Sequence, residues 1–365
     1  MGMPDARAAR RQLLAGKIAG QDADAALITY LINVEYLTGL ASSNAALLVT
    51  ADGGQPAVLA TDSRYALAAE RDCPDVERLT TRDVVASLAA RAASQGLRRI
   101  LFEAHAMSVE QHATLAGDRP EIDLAPLGRA VEELRVVKDE EEIAAIATAC
   151  GFTCQAFDEV LPSIRPGITE KQLAMVLERR MLELGADRAG FATIVASGPN
   201  GAIPHHLPAG RPVERGDLVT MDFGACYRGY HADMTRTVAV GAAARWQREI
   251  YRLVAAAQQA GVAAAEPGAR VAQVDAAARD RIAAGGHGAH FGHGLGHGVG
   301  LEIHEAPLIH QRGTGTLGDR VPITVEPGIY LLGKGGVRVE DTLVVRSGAG
   351  ARELLTTTTK ELLVL

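Results

Sequence analysis

The first third of the chain alternates short apolar runs with segments in which apolar residues recur every three or four positions. The apolar runs predict strands and the periodic segments predict helices. The predicted strands are residues 25–29, 45–50, 57–61, 76–80 and 99–103, and the predicted helices are residues 5–17, 63–71, 84–94 and 108–116. Strands that alternate with helices are typical of an α/β domain. No cluster of histidine, cysteine or carboxylate residues in this part of the sequence resembles a site.

The segment RVVKD, which ends at Asp139, indicates the start of a second domain. Asp139 is suited to cap a helix that opens with glutamates, and apolar residues then recur at helical spacing until Pro162. A second helix opens with a capping box at Thr169. We therefore predict an amino-terminal domain over residues 1–134 and a second domain over residues 135–365.

Residues 218–240 predict a β-hairpin, because two apolar-rich runs flank the turn-forming pair Arg228-Gly229. A two-residue turn there places Asp222 and Asp233 on the same face, since strand side chains alternate with period two. Two carboxylates on one face of otherwise apolar strands are costly unless a cationic group lies between them. A pair of divalent metal ions would provide that charge.

The same order of elements then recurs. Helices predicted at residues 244–264 and 269–284 precede a second hairpin at residues 321–345, which carries Glu326 and Glu340. Two helices followed by a hairpin with two carboxylates thus occur twice, which predicts a pseudo-two-fold domain with its site between the halves. A four-residue turn would place these two glutamates on opposite faces. We therefore predict that the turn has an odd number of residues or that a bulge intervenes.

Composition narrows the classes of protein to consider. The chain of 365 residues is long enough for two domains, and its net charge of −7 argues against a nucleic-acid partner. The basic start lacks the apolar core of a signal peptide, and no run reaches the ~18 apolar residues of a membrane helix. The four cysteines have no CxxC spacing, so we expect reduced thiols. We therefore predict a cytoplasmic protein with no membrane segment.

A glycine-rich segment between the hairpins, residues 292–307, holds His293, His297 and His304. Glycines let the backbone approach a site closely, and neutral imidazoles are common metal ligands. One such histidine is as often solvated as functional, but three beside two acidic hairpins indicate a site. The spacing excludes a GxGxxG dinucleotide fingerprint, an HExxH helix and a GxSxG nucleophile elbow.

Five motifs occur in order in the second domain: SGPNGAIPHH, MDFG…HADMTRT, HGLGHGVGLEIHEAP, TVEPGIY and GVRVEDT. Together they resemble the motifs of the Xaa-Pro peptidases, the aminopeptidase P and prolidase branch of the pita-bread metallopeptidases. In the first domain, INVEYLTGLASSNAALLV and ATDSRY look like the amino-terminal domain of that branch. The fold that this implies combines α/β and α+β classes: a creatinase-like α/β domain, then a pseudo-two-fold pita-bread catalytic domain.

The resemblance implies five metal ligands that together hold two divalent ions. The matching positions are Asp222, Asp233, His297, Glu326 and Glu340. Asp233 and Glu340 match the ligands that bridge the ions. Two divalent ions would balance the formal charge of four carboxylates. One nitrogen ligand among oxygens favours a hard ion such as manganese, with cobalt or zinc as alternatives.

The resemblance also implies roles toward the substrate. His205 and His304 match the histidines that steady the reacting carbonyl, and Glu326 matches the favoured general base. The residues that match those lining the prolyl pocket or supporting the site are His293, Tyr330 and Arg338. His206, which follows His205, has no assigned role.

The function implied is dinuclear-metal-dependent hydrolysis of the bond between an amino-terminal residue and a following proline. We favour an Xaa-Pro aminopeptidase, with an Xaa-Pro dipeptidase (prolidase) as the alternative. Methionine aminopeptidase shares the ligand pattern, but the long first domain and the context of His205 favour the proline-directed branch. The hypothesis from a different functional class is a binding module that has the pita-bread fold and no metal ions. Such a module should show substitutions at the ligand positions, whereas all five matching residues are present. The resemblance further implies a homodimer.

Overall fold

The computed structural model describes residues 3–348, 350 and 352–365. The chain forms two compact units, Met1–Arg135 and Val136–Leu365. All four cysteines are buried and free, as expected from their spacing. Within the described residues, no helix has both the length and the apolar character needed to cross a bilayer.

The first unit is built around a six-stranded mixed sheet. Its elements are α1 Met3–Ala19, β1 Ala25–Ile28, α2 Leu31–Thr38, β2 Ala45–Thr50, β3 Val58–Thr61, α3 Ala66–Asp72, β4 Glu77–Thr80, α4 Val84–Ser94, β5 Arg99–Phe102, α5 Val109–Asp118, β6 Asp123–Pro126 and α6 Ala130–Val136. The strand order is β4-β3-β2-β1-β5-β6, and β2 runs antiparallel to both of its neighbours. The sheet and its helices confirm the predicted α/β class.

Three elements of the first unit have no counterpart in the sequence prediction: α2, α6 and β6. Strand β6 pairs with β5 alone, at the edge of the sheet, and its residues DLAP are half-buried or exposed. An edge strand with one covered side lacks the apolar run that marks a central strand. Helix α2 has only eight residues and ends at Gly39, whose φ of 86° lies in the left-handed region.

Within its described residues, the second unit contains four long helices and several short sheets. Its elements are α7 Glu140–Val160, α8 Glu170–Leu184, β7 Arg188–Ala189, β8 Ile194–Ser197, β9 Leu218–Phe223, β10 Ala225–Tyr227, β11 Tyr230–His231, β12 Met234–Ala239, α9 Arg245–Ala264, α10 Val271–Ala284, β13 Gly296–Gly298, β14 Glu305–Ile309, β15 Val321–Val325, β16 Gly328–Leu331, β17 Gly335–Arg338, β18 Asp341–Val345 and β19 Arg352–Leu354. Helix α7 begins at the predicted cap Asp139, which forms a capping box with Glu142, and α8 begins with the capping box predicted at Thr169.

The first hairpin keeps a single register from β9 to β12. Arg228 and Gly229 both have positive φ, 51° and 82°, as a two-residue turn of type I′ requires. The turn pairs Tyr227 with Tyr230, and the same register pairs Asp222 with Thr235. Asp222 and Asp233 therefore share a face, as predicted.

The turn of the second hairpin has an odd number of residues. The turn consists of residues 332–334, because Leu331 pairs with Gly335. Gly328 then pairs with Arg338, and Val325 pairs with Asp341 in the same register. An odd number of turn residues therefore places Glu326 directly opposite Glu340, which confirms the first of the two predicted alternatives.

Each hairpin packs with the two helices that precede it. One buried cluster joins α7 and α8 to the first hairpin, through residues such as Phe157, Leu177 and Met221. A second cluster joins α9 and α10 to the second hairpin, through residues such as Val254 and Ile323. The repeated order in the sequence thus corresponds to two similar packing units within one domain.

Candidate functional site

The two hairpins and the glycine-rich segment meet at one cavity of about 310 Å³. Seven of the residues predicted for the site line this cavity: His205, Asp222, His293, His297, His304, Glu326 and Arg338. Asp233 and Glu340 lie deeper, with 5% and 1% of their surface exposed. The remaining predicted residue, Tyr330, contacts His293 and Arg338.

Four of the five predicted ligands lie close together, and the fifth, Asp222, lines the same cavity. Ligand atoms of Asp233, His297 and Glu340 all lie within 4.8 Å of one another. His297 Nε2 lies 3.6 Å from Asp233 Oδ2 and 3.4 Å from Glu326 Oε1. These separations are long for hydrogen bonds but match those between two ligands of one ion, each about 2.1 Å from it.

The orientation of the His297 ring is fixed by its backbone. Nδ1 donates to the carbonyl oxygen of Gly298 at 3.0 Å, so the lone pair of Nε2 faces the carboxylates. Burial lowers the pKa of His297 to about 4, and the ring is therefore neutral at pH 7. A neutral imidazole with a free lone pair at this place is suited to bind a metal ion.

Two glycines explain the repetitive sequence around His297. A Cβ at Gly296 would overlap the carbonyl oxygen of Thr324 in β15, and a Cβ at Gly298 would overlap that of Ala306. Glycine is required at both positions because β13 lies between β14 and β15 at close range. The glycines thus bring His297 to the second hairpin.

The carboxylates of the site repel one another. Burial raises the pKa of Asp233 well above its ordinary value, and the charge of Glu340 adds to the effect. Burial, followed by Glu326, does the same to the pKa of Glu340. Burial raises the pKa of Glu326 to about 8, although Arg338 opposes this increase. Asp222 Oδ1 and Glu340 Oε1 are buried without a hydrogen-bond partner.

Arginine side chains offset only part of the negative charge of these carboxylates. Arg338 Nη2 donates to Asp222 Oδ2 at 2.7 Å, whereas Arg236 pairs with Asp341 and not with a predicted ligand. Four carboxylates and one guanidinium have a formal charge of about −3 when ionised. Orphaned anionic oxygens and mutual repulsion fit a site for divalent cations.

We expect the metal-free protein to lose stability as the pH rises from about 6.5 toward 8, because below that range the lowered pKa values of His293 and His297 act in the opposite direction. The pKa of Glu326 is 4.5 in its ordinary state and about 8 in the fold, and those of Asp233 and Glu340 are also raised. A carboxyl group with a raised pKa stabilises the fold while it holds its proton. That contribution is complete below the unfolded pKa and is lost as the pH passes the folded pKa, at up to ~1.4 kcal/mol per pH unit and group.

Urea denaturation of chelator-treated protein between pH 6.5 and 8.5 would measure this decrease. Manganese added at pH 8 should restore the stability, because the ions bind the ionised carboxylates. A free energy of unfolding that rises with pH in the metal-free protein would contradict the proposed electrostatics.

His293, Tyr330 and Arg338 form a hydrogen-bonded chain beside the ligands. His293 Nδ1 donates to the carbonyl oxygen of Gly294 at 2.7 Å, so Nε2 accepts the hydroxyl proton of Tyr330 at 2.9 Å. Arg338 Nη1 donates to the Tyr330 oxygen at 2.9 Å. Burial lowers the pKa of His293 to about 4 and raises that of Tyr330 to about 12. Both groups are therefore neutral, and they hold the guanidinium that contacts Asp222.

The His304 ring packs against the His297 ring at the open side of the site. Their ring centroids are 4.4 Å apart and the rings are inclined at 73°. Burial, followed by the charge of His205, lowers the pKa of His304, so the ring is neutral and can donate one N–H. His205 lines the same cavity, on the loop after β8.

Sequence analysis missed several residues that hold these groups in place. Thr235 Oγ1 donates to Glu340 Oε2 at 2.6 Å and accepts from Arg338 Nε at 3.1 Å. Lys138 forms a buried ion pair with Glu305, next to His304, at 2.8 Å. Thr235 lies inside the HADMTRT motif and could have been found there. A lysine in a segment interpreted as a domain linker gives no such signal, because linker lysines are normally exposed.

The first unit contains a cluster that the sequence did not indicate. Glu103, His105 and Glu132 bring ligand atoms within 4.8 Å of one another. The Glu103 carboxylate, however, accepts hydrogen bonds from the Thr29 and Tyr30 backbones and from a side-chain amide, and Glu132 pairs with His105. These oxygens already have donors, so we interpret the cluster as a hydrogen-bond network.

Known proteins resemble both units. Residues 144–347 match the Metallopeptidase family M24, and residues 10–137 match the Creatinase/Prolidase N-terminal domain. A protein from Pyrococcus furiosus named Xaa-Pro dipeptidase is 34% identical over 340 residues, which cover 93% of this chain and 95% of that protein.

Solved structures agree with these matches. The structure of an Xaa-Pro dipeptidase from Bacillus anthracis has a TM-score of 0.93 and 33% identity, and covers 98% of this chain and 100% of that one. The structure of an X-Pro aminopeptidase from Thermotoga maritima has a TM-score of 0.87 and 35% identity. The match covers 94% of this chain and 98% of that one. The chain therefore belongs to metallopeptidase family M24, as a peptidase with a creatinase-like α/β domain and a pita-bread domain.

Proposed function

We propose that this peptidase hydrolyses the bond between an amino-terminal residue and a following proline, with Xaa-Pro dipeptides as its preferred substrates. The convergence of four carboxylates and the His297 lone pair on one open cavity carries the proposal. Sequence analysis favoured an aminopeptidase. Relatives named Xaa-Pro dipeptidase support the alternative better.

The proposed site holds two divalent ions through Asp222, Asp233, His297, Glu326 and Glu340. When bound, the ions supply a water molecule that is acidic enough to ionise near pH 7 and a Lewis acid for the scissile carbonyl. The orphaned oxygens of Asp222 and Glu340 support this assignment. Manganese suits the oxygen-rich ligand set best, and cobalt and zinc are the alternatives.

Three side chains of the protein then act on the substrate. His304, as a neutral imidazole beside His297, donates its N–H to the carbonyl oxygen as negative charge develops there. His205 approaches the same carbonyl from another wall of the cavity. Glu326 accepts the proton of the attacking water, a role suited to a carboxylate at the edge of the cavity.

A proline in the second position needs a dedicated pocket, because it fixes its own φ and lacks an amide hydrogen. His293, which lines the cavity, is the wall that we propose for its ring, and Tyr330 supports that wall through its hydrogen bond to His293 at 2.9 Å. Phe291 packs edge-on against His293 at 5.0 Å and keeps that wall in place.

The experiment compares hydrolysis of Xaa-Pro, Xaa-Pro-Yaa and Xaa-Ala at equal manganese loading. We expect kcat/KM for Xaa-Pro to exceed that for Xaa-Pro-Yaa by at least about tenfold, equivalent to roughly 1.4 kcal/mol. Xaa-Ala is the control for proline specificity and should be cleaved poorly. Failure to cleave any of the three at full loading would contradict the proposed function and favour a metal-free binding module.

One observation favours the aminopeptidase as a second candidate. Among the described residues that line the cavity, Arg338 is the sole arginine or lysine, and its guanidinium already contacts Asp222 and Tyr330. The carboxylate of a dipeptide would then depend on a histidine such as His310. Faster cleavage of Xaa-Pro-Yaa would select this candidate. The expected homodimer, the cytoplasmic location and the lack of a nucleic-acid partner stay predictions.

A further inference from the structure

One buried carboxylate holds the loop that carries His205. Glu170 is the first residue of α8 and is fully buried. Its Oε1 accepts hydrogen bonds from Ser197 N at 2.8 Å, from Ser197 Oγ at 2.7 Å and from Asn200 Nδ2 at 2.9 Å. Its Oε2 accepts from His206 Nε2 at 2.7 Å and from Ala209 N at 3.2 Å.

These donors lie on both sides of His205 in the chain. Ser197 and Asn200 precede it, and His206 and Ala209 follow it. The backbone of α8 adds to the attachment, because Lys171 N donates to the carbonyl oxygen of Ala209 at 3.1 Å. The start of α8 thus holds both arms of the loop.

The tip of the loop has little packing of its own. Ile203 is 47% exposed and Leu207 is 74% exposed, and His205 itself is exposed toward the cavity. A loop whose apolar side chains face solvent is not fixed by a hydrophobic core. The hydrogen bonds to Glu170 hold both arms of the loop, and Arg338 Nη1 donates to the carbonyl oxygen of Pro204 at 3.3 Å, so these contacts together set where His205 lies.

Glu170 is suited to this role because it stays ionised. Burial would raise its pKa, but the hydrogen bonds from Asn200, His206 and Ser197 lower the pKa below the ordinary value. Hydrogen bonds to an ionised carboxylate are about twice as strong as neutral ones.

We infer that Glu170 is a positioning residue of the proposed peptidase: its carboxylate holds the loop at residues 197–211 so that His205 reaches the scissile carbonyl. His206, left without a role in the sequence analysis, is one of the donors through which it acts. The inference rests on the proposed function and assigns a role to a residue that touches neither substrate nor metal ion.

Glu170→Gln tests the inference because the amide keeps one acceptor oxygen and the shape of the side chain. Its NH₂ group cannot accept the bonds of His206 and Ala209. We expect kcat for Xaa-Pro to fall about 10–100-fold, the size expected when a reacting group shifts by about 1 Å. Manganese content and KM should stay within about twofold of the wild type. Glu178→Gln, on the same helix, is the matched control and should leave kcat unchanged.

A double-mutant cycle separates positioning from a general loss of stability. If Glu170 acts through His205, adding Glu170→Gln to His205→Ala should lower kcat by less than about twofold further. If the double variant instead lowers kcat by the product of the two separate effects, the inference is wrong. His206→Ala removes one donor to Glu170, should lower kcat about 3–10-fold, and replaces Glu170→Gln in the cycle if that variant does not fold.

A measurement without turnover distinguishes this inference from the proposed function. In zinc-loaded protein with labelled histidine, the ring signal of His205, assigned with His205→Ala, should shift or broaden in Glu170→Gln and not in Glu178→Gln. An unchanged signal would reject the positioning role. An inactive wild type with a shifted signal would instead reject the proposed function alone.

Discussion

Asp233→Asn should lower turnover of an Xaa-Pro substrate by at least about 10³-fold, or roughly 4 kcal/mol of transition-state stabilisation. Asp233 is buried, and its Oδ2 faces His297 Nε2 at 3.6 Å. Its carboxylate would help to hold both of the proposed ions, the role that the resemblance implies. An amide has one neutral acceptor in place of two anionic ones, so the variant should also lose most of its affinity for manganese. Metal content after dialysis, measured with kcat on the same samples, tests both expectations.

Comparing the stability of metal-free Asp233→Asn with that of the metal-free wild type shows whether the loss of activity is local to the site. Asp233 repels Glu340 in the metal-free protein, so removing its charge should leave the metal-free variant at least as stable as the wild type at pH 8. Asp280→Asn, at an exposed aspartate of α10, is the matched control and should keep both metal content and activity. Full metal content with normal turnover in Asp233→Asn would reject the bridging role.

His304→Ala should lower kcat by about 10²–10³-fold and leave the metal content unchanged. The ring lies against His297 with centroids 4.4 Å apart and opens toward the cavity, where a carbonyl oxygen would approach. Loss of one donor to a developing oxyanion costs turnover of this size. Because this bond strengthens in the transition state, KM should change much less than kcat.

Kinetics of His304→Ala and of His290→Ala, measured at equal metal loading, test this role. His290 is exposed in a short helical turn and serves as the control for replacing a histidine in the same unit. Normal turnover in His304→Ala would mean that another group stabilises the oxyanion. Loss of metal in this variant would instead assign His304 to the ligand set.

Local rules in the sequence were sufficient for the elements that carry the site. The pair Arg228-Gly229 and the alternation of strand side chains placed Asp222 and Asp233 on one face, and the structure has that register. The same arithmetic required either an odd turn or a bulge for Glu326 and Glu340 to share a face, and the turn has three residues. The capping boxes at the starts of α7 and α8 were predictable for the same reason, because each involves residues three positions apart.

The sequence by itself therefore determined the long helices of the second unit, the hairpin registers, the candidate ligands and, through its motifs, the family. Only the tertiary structure decided how these groups are held: Arg338 with Asp222, Arg236 with Asp341, Lys138 with Glu305 and Glu170 with the loop of His205. These contacts join residues 27 to 167 positions apart. No periodicity or turn rule connects residues at such separations, since their contact depends on how whole elements pack.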